Sequence, residues 1–254
     1  MNKSIKWKAA ILLVLTVGLG VAACKIKNDS IVSNAEQKEK SIIDVQSKEL
    51  YDYKSTNQSA NVVIPIITVE DGDTDTINNL KESAQSINKS TKEVVDSWIE
   101  DFKSGIGEDF YQSMEINYKI VETSPQYFTI RFMCLQTAAS GYEKDYYYTI
   151  DLSTGKEIIL SDLFKADSNY IEVISNNIKE QMIKQMEQDN NKTYWIDNTD
   201  TPEWNFKEIS NDTMFYINPK NELVIVFNQG DVAPMYMGEV EFVIPNEVIK
   251  DILV

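Results

Sequence analysis

From Asp73 to Lys103 the chain carries one long apolar stripe: Ile77, Leu80, Ala84, Ile87, Val94, Trp98, Ile99 and Phe102 recur mostly three or four residues apart. At 3.6 residues per turn this predicts a long helix with a single apolar face, which must be covered. The flanking segments indicate by what. Two strand-like runs precede it, near Leu50–Tyr53 and at Asn61–Thr68, where Pro65 suggests an edge position or a bulge. Three more follow, roughly Ser113–Glu122, Tyr127–Thr137 and Tyr142–Leu152, the middle one alternating Phe128, Ile130, Phe132 and Cys134 on one face. Ala138–Gly141 reads as a hairpin tip, and Ser153–Lys156 as a turn into a short strand at Glu157–Leu160. Ser161–Phe164 has the look of a helix start, and a second helix is predicted over Tyr170–Gln188, with Ile171, Ile174, Ile178, Met182 and Met186 as its core stripe. After a loop-like Asp189–Pro202 come strands at Met214–Asn218, Glu222–Phe227 and Glu239–Ile244, and a short last helix at Asn246–Leu253. Helices and strands in blocks, rather than regular βαβ alternation, predict an α+β fold with a largely antiparallel sheet and packed helices.

The amino terminus suggests an address. Lys3, Lys6 and Lys8 precede an apolar or small run, Ala9–Ala23, that ends Val21-Ala22-Ala23-Cys24. As a helix the run spans roughly 22 Å, short of a ~30 Å hydrocarbon core, which suits a secretion signal over residues 1–23 better than a membrane span. Val-Ala-Ala-Cys looks like a bacterial lipobox, with Cys24 as the lipidation site and the mature N-terminus. Two acyl chains hold a protein on the outer face of the cell membrane, where one chain binds only marginally. Residues 24–44, polar and of mixed charge, read as a flexible spacer. With Cys24 lipidated, Cys134 has no partner for a disulfide, and its apolar surroundings suggest an inert core thiol.

The sequence contains no histidine, and its 24 Lys+Arg stand against 40 Asp+Glu, a formal net charge of -16. Loss of residues 1–23 removes three lysines and no acid, taking the charge to -19. Without histidine there is no Ser-His or Cys-His pair and no His-ligated zinc. The acidic body also disfavours nucleic acid and favours a basic partner. Asp71, Asp73, Asp75 and Glu82 fall at calcium-loop spacing, but Thr76 stands where that loop needs glycine, and helix capping accounts for them better. Asp231, Glu239 and Glu241 are candidates for the two acids of a glycoside hydrolase. In so acidic a chain such coincidences are expected, and the sequence assigns no catalytic residue, cofactor or metal. Of Tyr146, Tyr147 and Tyr148, strand alternation turns at least one away from the core. Tyr142 and Tyr236 fall at or near loops, where tyrosine is a common recognition anchor.

Two segments together carry a resemblance: Tyr148–Phe164 (YTIDLSTGKEIILSDLF), and Leu223–Phe227 (LVIVF) with Ala233–Gly238 (APMYMG) and Glu241–Pro245 (EFVIP). In order and spacing they resemble the extracellular domain of anti-sigma factors of the RsiV type and the related N-terminal module of the peptidoglycan deacetylase PdaC, from about Glu49 onward. The resemblance implies two associated α+β parts, a PdaC-like 45–137 and an RsiV-like 138–254. It implies a binding protein rather than an enzyme: a receptor for lysozyme, tethered outside the membrane of a bacterium. Ser140, Gly141 and Tyr142 in the first loop, and Pro234 and Tyr236 in the second, are then the expected partner-binding residues, with Asp231 beside them. Where many members carry a Gly-Ala-His tip, this chain has Ala139-Ser140-Gly141-Tyr142. Eight residues ahead of the apolar run are too few to hold a sigma factor, so the expectation is a receptor half without its signalling half. The alternative is a module that holds peptidoglycan directly.

Overall fold

In the computed structural model, which describes residues 42–254, β1 (Ile43–Lys54) and β2 (Gln58–Val69) form an antiparallel hairpin with an irregularity between Glu49 and Tyr51. The strand begins inside the expected spacer, because Ile43 and Val45 pack against the cluster built on Ile67. The leader, Cys24 and residues 24–41 of that spacer lie outside the described residues.

α1 (Asp75–Ser104) crosses over the sheet, so β3 (Gln112–Val121) returns beside β2 in parallel, a pairing that a tight hairpin cannot make. β4 (Tyr127–Thr137), β5 (Gly141–Asp151) and β6 (Lys156–Ile158) complete a six-stranded sheet in chain order, antiparallel from β3 onward. β2 pairs with β3 only from Gln58 to Val62. Beyond that, Asn88 of α1 serves its free edge, accepting the Ile67 N–H (2.9 Å) and donating to the Ile67 carbonyl (2.8 Å). Pro65 sits on this stretch, as a strand proline should.

The helix buries Leu80, Ala84, Ile87, Thr91, Val95, Ile99 and Phe102. Thr91 and Val95 supply the turn between Ile87 and Ile99, while Val94 and Trp98 flank the stripe, half-buried. Thr74, not an aspartate, caps the helix by accepting the Ile77 N–H; Asp71 instead pairs with Lys81. The turn before β6 docks on the first turns of α1, where Ser83 Oγ donates to the Gly155 carbonyl and accepts the Glu157 N–H. Gly155 has φ +74°, and a Cβ there would lie 2.2 Å from the Thr76 carbonyl oxygen. Gly155→Ala is therefore expected to cost about 2–3 kcal/mol of stability, read as a lowered urea midpoint with unchanged slope.

A 3₁₀ turn (Leu160–Leu163) and α2 (Tyr170–Gln188) lead to a second, three-stranded antiparallel sheet of β7 (Met214–Ile217), β8 (Leu223–Phe227) and β9 (Val240–Ile244), followed by α3 (Asn246–Ile249). Ile174, Ile178 and Met182 of α2 pack into one cluster with Ile225, Phe242 and Ile244, so the methionine stripe is core. Central β8 is buried along its whole length. The opposite face of the small sheet meets β4 and β5 of the large one: Thr149 Oγ1 donates to the Phe215 carbonyl (3.4 Å), and Tyr147 stacks on Tyr216 at 5.9 Å. Tyr147 does turn away from Tyr146 and Tyr148, but into this junction rather than toward solvent. The fold is α+β with one parallel junction, β2–β3. The division expected between residues 137 and 138 falls in the β4–β5 hairpin, where Thr137 pairs with Gly141; the chain leaves the large sheet only after Ile158.

Candidate protein-binding face

Over Gly141–Tyr148, β5 pairs with β4 on one side only, because β6 ends opposite Thr149. Its open edge is served by side chains from the loop after β8. The Glu143 N–H donates to Gln229 Oε1 (2.8 Å), the Asp145 N–H donates to Asn228 Oδ1 (2.6 Å), and Asn228 Nδ2 returns a bond to the Asp145 carbonyl (3.4 Å). These bonds bring together the two loops that the sequence singled out. Gln229 Nε2 also donates to the Met235 carbonyl (2.8 Å), and Asp231 accepts the Asn228 N–H (3.0 Å), which folds the loop on itself. Val232 and Ala233 are buried in the second core and pin the loop from below.

Around this floor the expected residues are displayed. Ser140, Gly141, Tyr142 and Asp231 are exposed, and Pro234 is half-buried where it opens the 3₁₀ turn Met235–Met237. Tyr236, 68% exposed, is the most open aromatic residue here, its hydroxyl donating to Thr193 Oγ1 (3.0 Å) and the Asn191 carbonyl (3.3 Å). Those contacts recruit a third loop, residues 191–204, in which the sequence singles out no candidate residue. The Trp195 N–H donates to the Val232 carbonyl (3.0 Å), and the Trp195 ring lies 5.2 Å from that of Trp204, which is 53% exposed. Two tryptophans isolated in an Asp- and Asn-rich loop were the available signal. Exposed Tyr142, Met235, Tyr236 and Trp204 among carboxylates form a surface suited to protein recognition.

Beneath the face lies a charged cluster built on Arg131, the sole arginine of the sequence. Strand alternation turns Arg131 away from the Phe132 face, toward the junction with the small sheet. Its Nε and Nη2 donate to Asp145 Oδ2, Nη2 also reaches Glu143 Oε1 (3.2 Å), and Nη1 lies 3.2 Å from Glu239 Oε1. The Tyr147 hydroxyl donates to Glu239 (3.2 Å), and that of Tyr216 donates to Glu241 (3.2 Å). Burial above all, then the neighbouring Asp145, raises the Glu239 carboxyl to about 8 against the pull of Arg131. Burial likewise pushes the Tyr147 hydroxyl up, and Tyr216 to about 12. The three acids considered for glycoside hydrolysis are thus separately engaged: Glu239 faces Arg131, Glu241 holds Tyr216, and Asp231 folds its loop. Among the described residues no group of three or more His, Cys, Asp or Glu side chains is placed to hold a metal ion. Cys134 is buried and its thiol is pushed up to about 12, chiefly by burial, which leaves it unreactive near neutral pH. Among the described residues no helix is long and apolar enough to cross a membrane.

Known proteins share this architecture. Residues 161–247 match the family described as a protein of unknown function, DUF3298. Solved DUF3298 structures from Bacteroides fragilis (17% identity, TM-score 0.53, covering 85% of this chain and 96% of that one) and Pseudomonas aeruginosa (12%, 0.56, 84% and 94%) show the same fold. The anti-sigma-V factor RsiV of Bacillus subtilis strain 168 is 45% identical over 142 residues, which are 56% of this chain and 49% of RsiV. The chain thus spans about half the length of that curated relative. The resemblance carried by the two sequence segments holds: the chain is similar to an RsiV-type anti-sigma factor, and its residues 161–247 carry a DUF3298 domain.

Proposed function

We propose that this chain is an extracytoplasmic, lipid-anchored binding protein that recognises a basic muramidase of the lysozyme type without transforming it. The observation that carries the reading is the joining of three loops into one face, with Tyr142, Tyr236 and Trp204 exposed on a chain of formal charge -16. A cationic protein is drawn to such a surface by the long-range field, and exposed aromatics on a pinned loop provide the short-range anchors. The likeness to RsiV supports a regulatory binding role at the cell envelope. The lipobox-like Val21–Cys24 supports the anchor and the outer location.

Calorimetric titration of the chain from Lys25 onward with a cationic lysozyme tests this. Binding is expected at low salt and should weaken about tenfold or more by ~0.5 M salt, as field-driven association does. Tyr236→Ala should weaken it a further ~10–30-fold, since it removes the most exposed anchor while the buried floor stays intact. No heat of binding at low salt overturns the proposal. The Trp195–Trp204 pair favours one alternative, a stacking platform for wall glycan. That reading requires co-sedimentation with purified peptidoglycan in the absence of lysozyme.

A further inference from the structure

The 228–238 loop is fastened at both ends to the same buried cluster. At its start, Asn228 and Gln229 hold the β5 backbone at Asp145 and Glu143. At its end, Gly238, at φ +67°, delivers Glu239 to Arg131 and Tyr147. Between these fastenings lie Asp231, Pro234 and Tyr236. Asp145 is 1% exposed, and although Oδ2 takes two bonds from Arg131, its Oδ1 is buried without a hydrogen-bond partner among the described residues.

We propose that a proton held on the Glu239 carboxyl, against the buried Asp145, latches the 228–238 loop, so that the binding face is assembled when Glu239 is protonated and loosened when it is not. The use of that face by a partner rests on the function proposed above; the latch itself does not. The groups facing Glu239 are Arg131 from β4, Glu143, Asp145 and Tyr147 from β5, Tyr216 from β7, and Glu241 from its own strand. One guanidinium thus serves three close carboxylates, two of them withdrawn from water, and the tyrosines stay neutral. With Glu239 protonated, the buried part of the cluster is an arginine, one carboxylate and one neutral acid. The neutral acid also places a donor beside the Asp145 carboxylate. One carboxyl strongly raised is the established outcome when like charges are held together away from water. Burial and Asp145 raise the Glu239 carboxyl in the folded chain above its ordinary 4.5. Protonation therefore favours the folded arrangement fully in acid, and that contribution is lost as pH climbs through about 8. Glu239 then carries a charge facing Asp145, and its withdrawal takes with it the turn that bears Tyr236.

Hydrogen–deuterium exchange of the full chain in detergent micelles, followed from pH 6.5 to 9.5 and corrected for intrinsic exchange, tests the latch without any partner. Protection of amides 229–237 should fall about tenfold or more over this range while the core of the large sheet holds. Glu239→Gln, which keeps a neutral donor at the same place, should hold the loop protected throughout. Loop protection that is flat with pH in the parent chain overturns the proposal, and so does a Glu239→Gln chain that loosens as the parent does. Should lysozyme fail to bind at all, the functional reading falls while the pH response of the loop still decides the latch.

Discussion

Arg131→Ala is expected to cost about 3–5 kcal/mol, among the largest losses available to a single substitution in this chain. Among the described residues the guanidinium is the sole cation bonded to Asp145, a carboxylate with 1% of its surface exposed, and it also reaches Glu143 and Glu239. Its removal leaves buried negative charge without compensation, and the chain must then take up a proton or let water into the junction between the sheets. Lysine is a poor substitute, because a single ammonium cannot reproduce three directed contacts on three side chains. Urea unfolding at pH 7 measures the loss. Combining Arg131→Ala with Asp145→Asn should recover a substantial part of it, since the second change removes the stranded charge; strictly additive losses would show that the pair is not coupled.

That this junction escaped the sequence while α2 did not has a physical cause. Tyr170–Gln188 and Tyr127–Thr137 are each read to the residue, because their apolar spacing is regular and the middle of one face is buried: Ile174, Ile178 and Met182 on the helix, Ile130, Phe132 and Cys134 on the strand. β1 starts several residues before the strand expected near Leu50–Tyr53: it is an edge strand with a polar, exposed middle at Gln46–Glu49, so its alternation is faint. On α1, Thr91 occupies a core position that a scan for apolar residues skips. The parallel pairing of β2 with β3 depends on where α1 lays down the returning chain, which no local pattern encodes. The binding loops were legible in part. Ser140–Tyr142 and Pro234–Tyr236 could be marked as exposed turns, but their meeting depends on Asn228 and Gln229, whose amides resemble any others in a loop. Alternation turns at least one of Tyr146, Tyr147 and Tyr148 away from the core, yet gives no sign that the small sheet covers Tyr147 and the Arg131 beside it.

Phe242→Ala should cost a further ~3–5 kcal/mol, by cavity formation rather than by stranded charge. The ring is fully buried, packs against Phe227 at 5.9 Å and Tyr194 at 5.6 Å, and lies opposite Ile225 in the register of β8 and β9. Its neighbours tie the site to the core: Tyr194 adjoins the tryptophan loop, and Val232 and Ala233 of the same cluster anchor the loop that bears Tyr236. The void should therefore loosen both loops before the rest of the fold, giving faster amide exchange at 191–206 and 228–238 and weaker capture of a cationic partner. Phe132→Ala provides the contrast. That ring is equally buried, but it packs against Trp98 beneath α1, in the cluster of the large sheet. It should lower the urea midpoint by a similar amount and leave loop exchange near its parent value at low denaturant. Equal loosening of the loops in both variants would mean that the two cores transmit packing defects to each other, and that the binding face is seated on the whole molecule rather than on the small sheet.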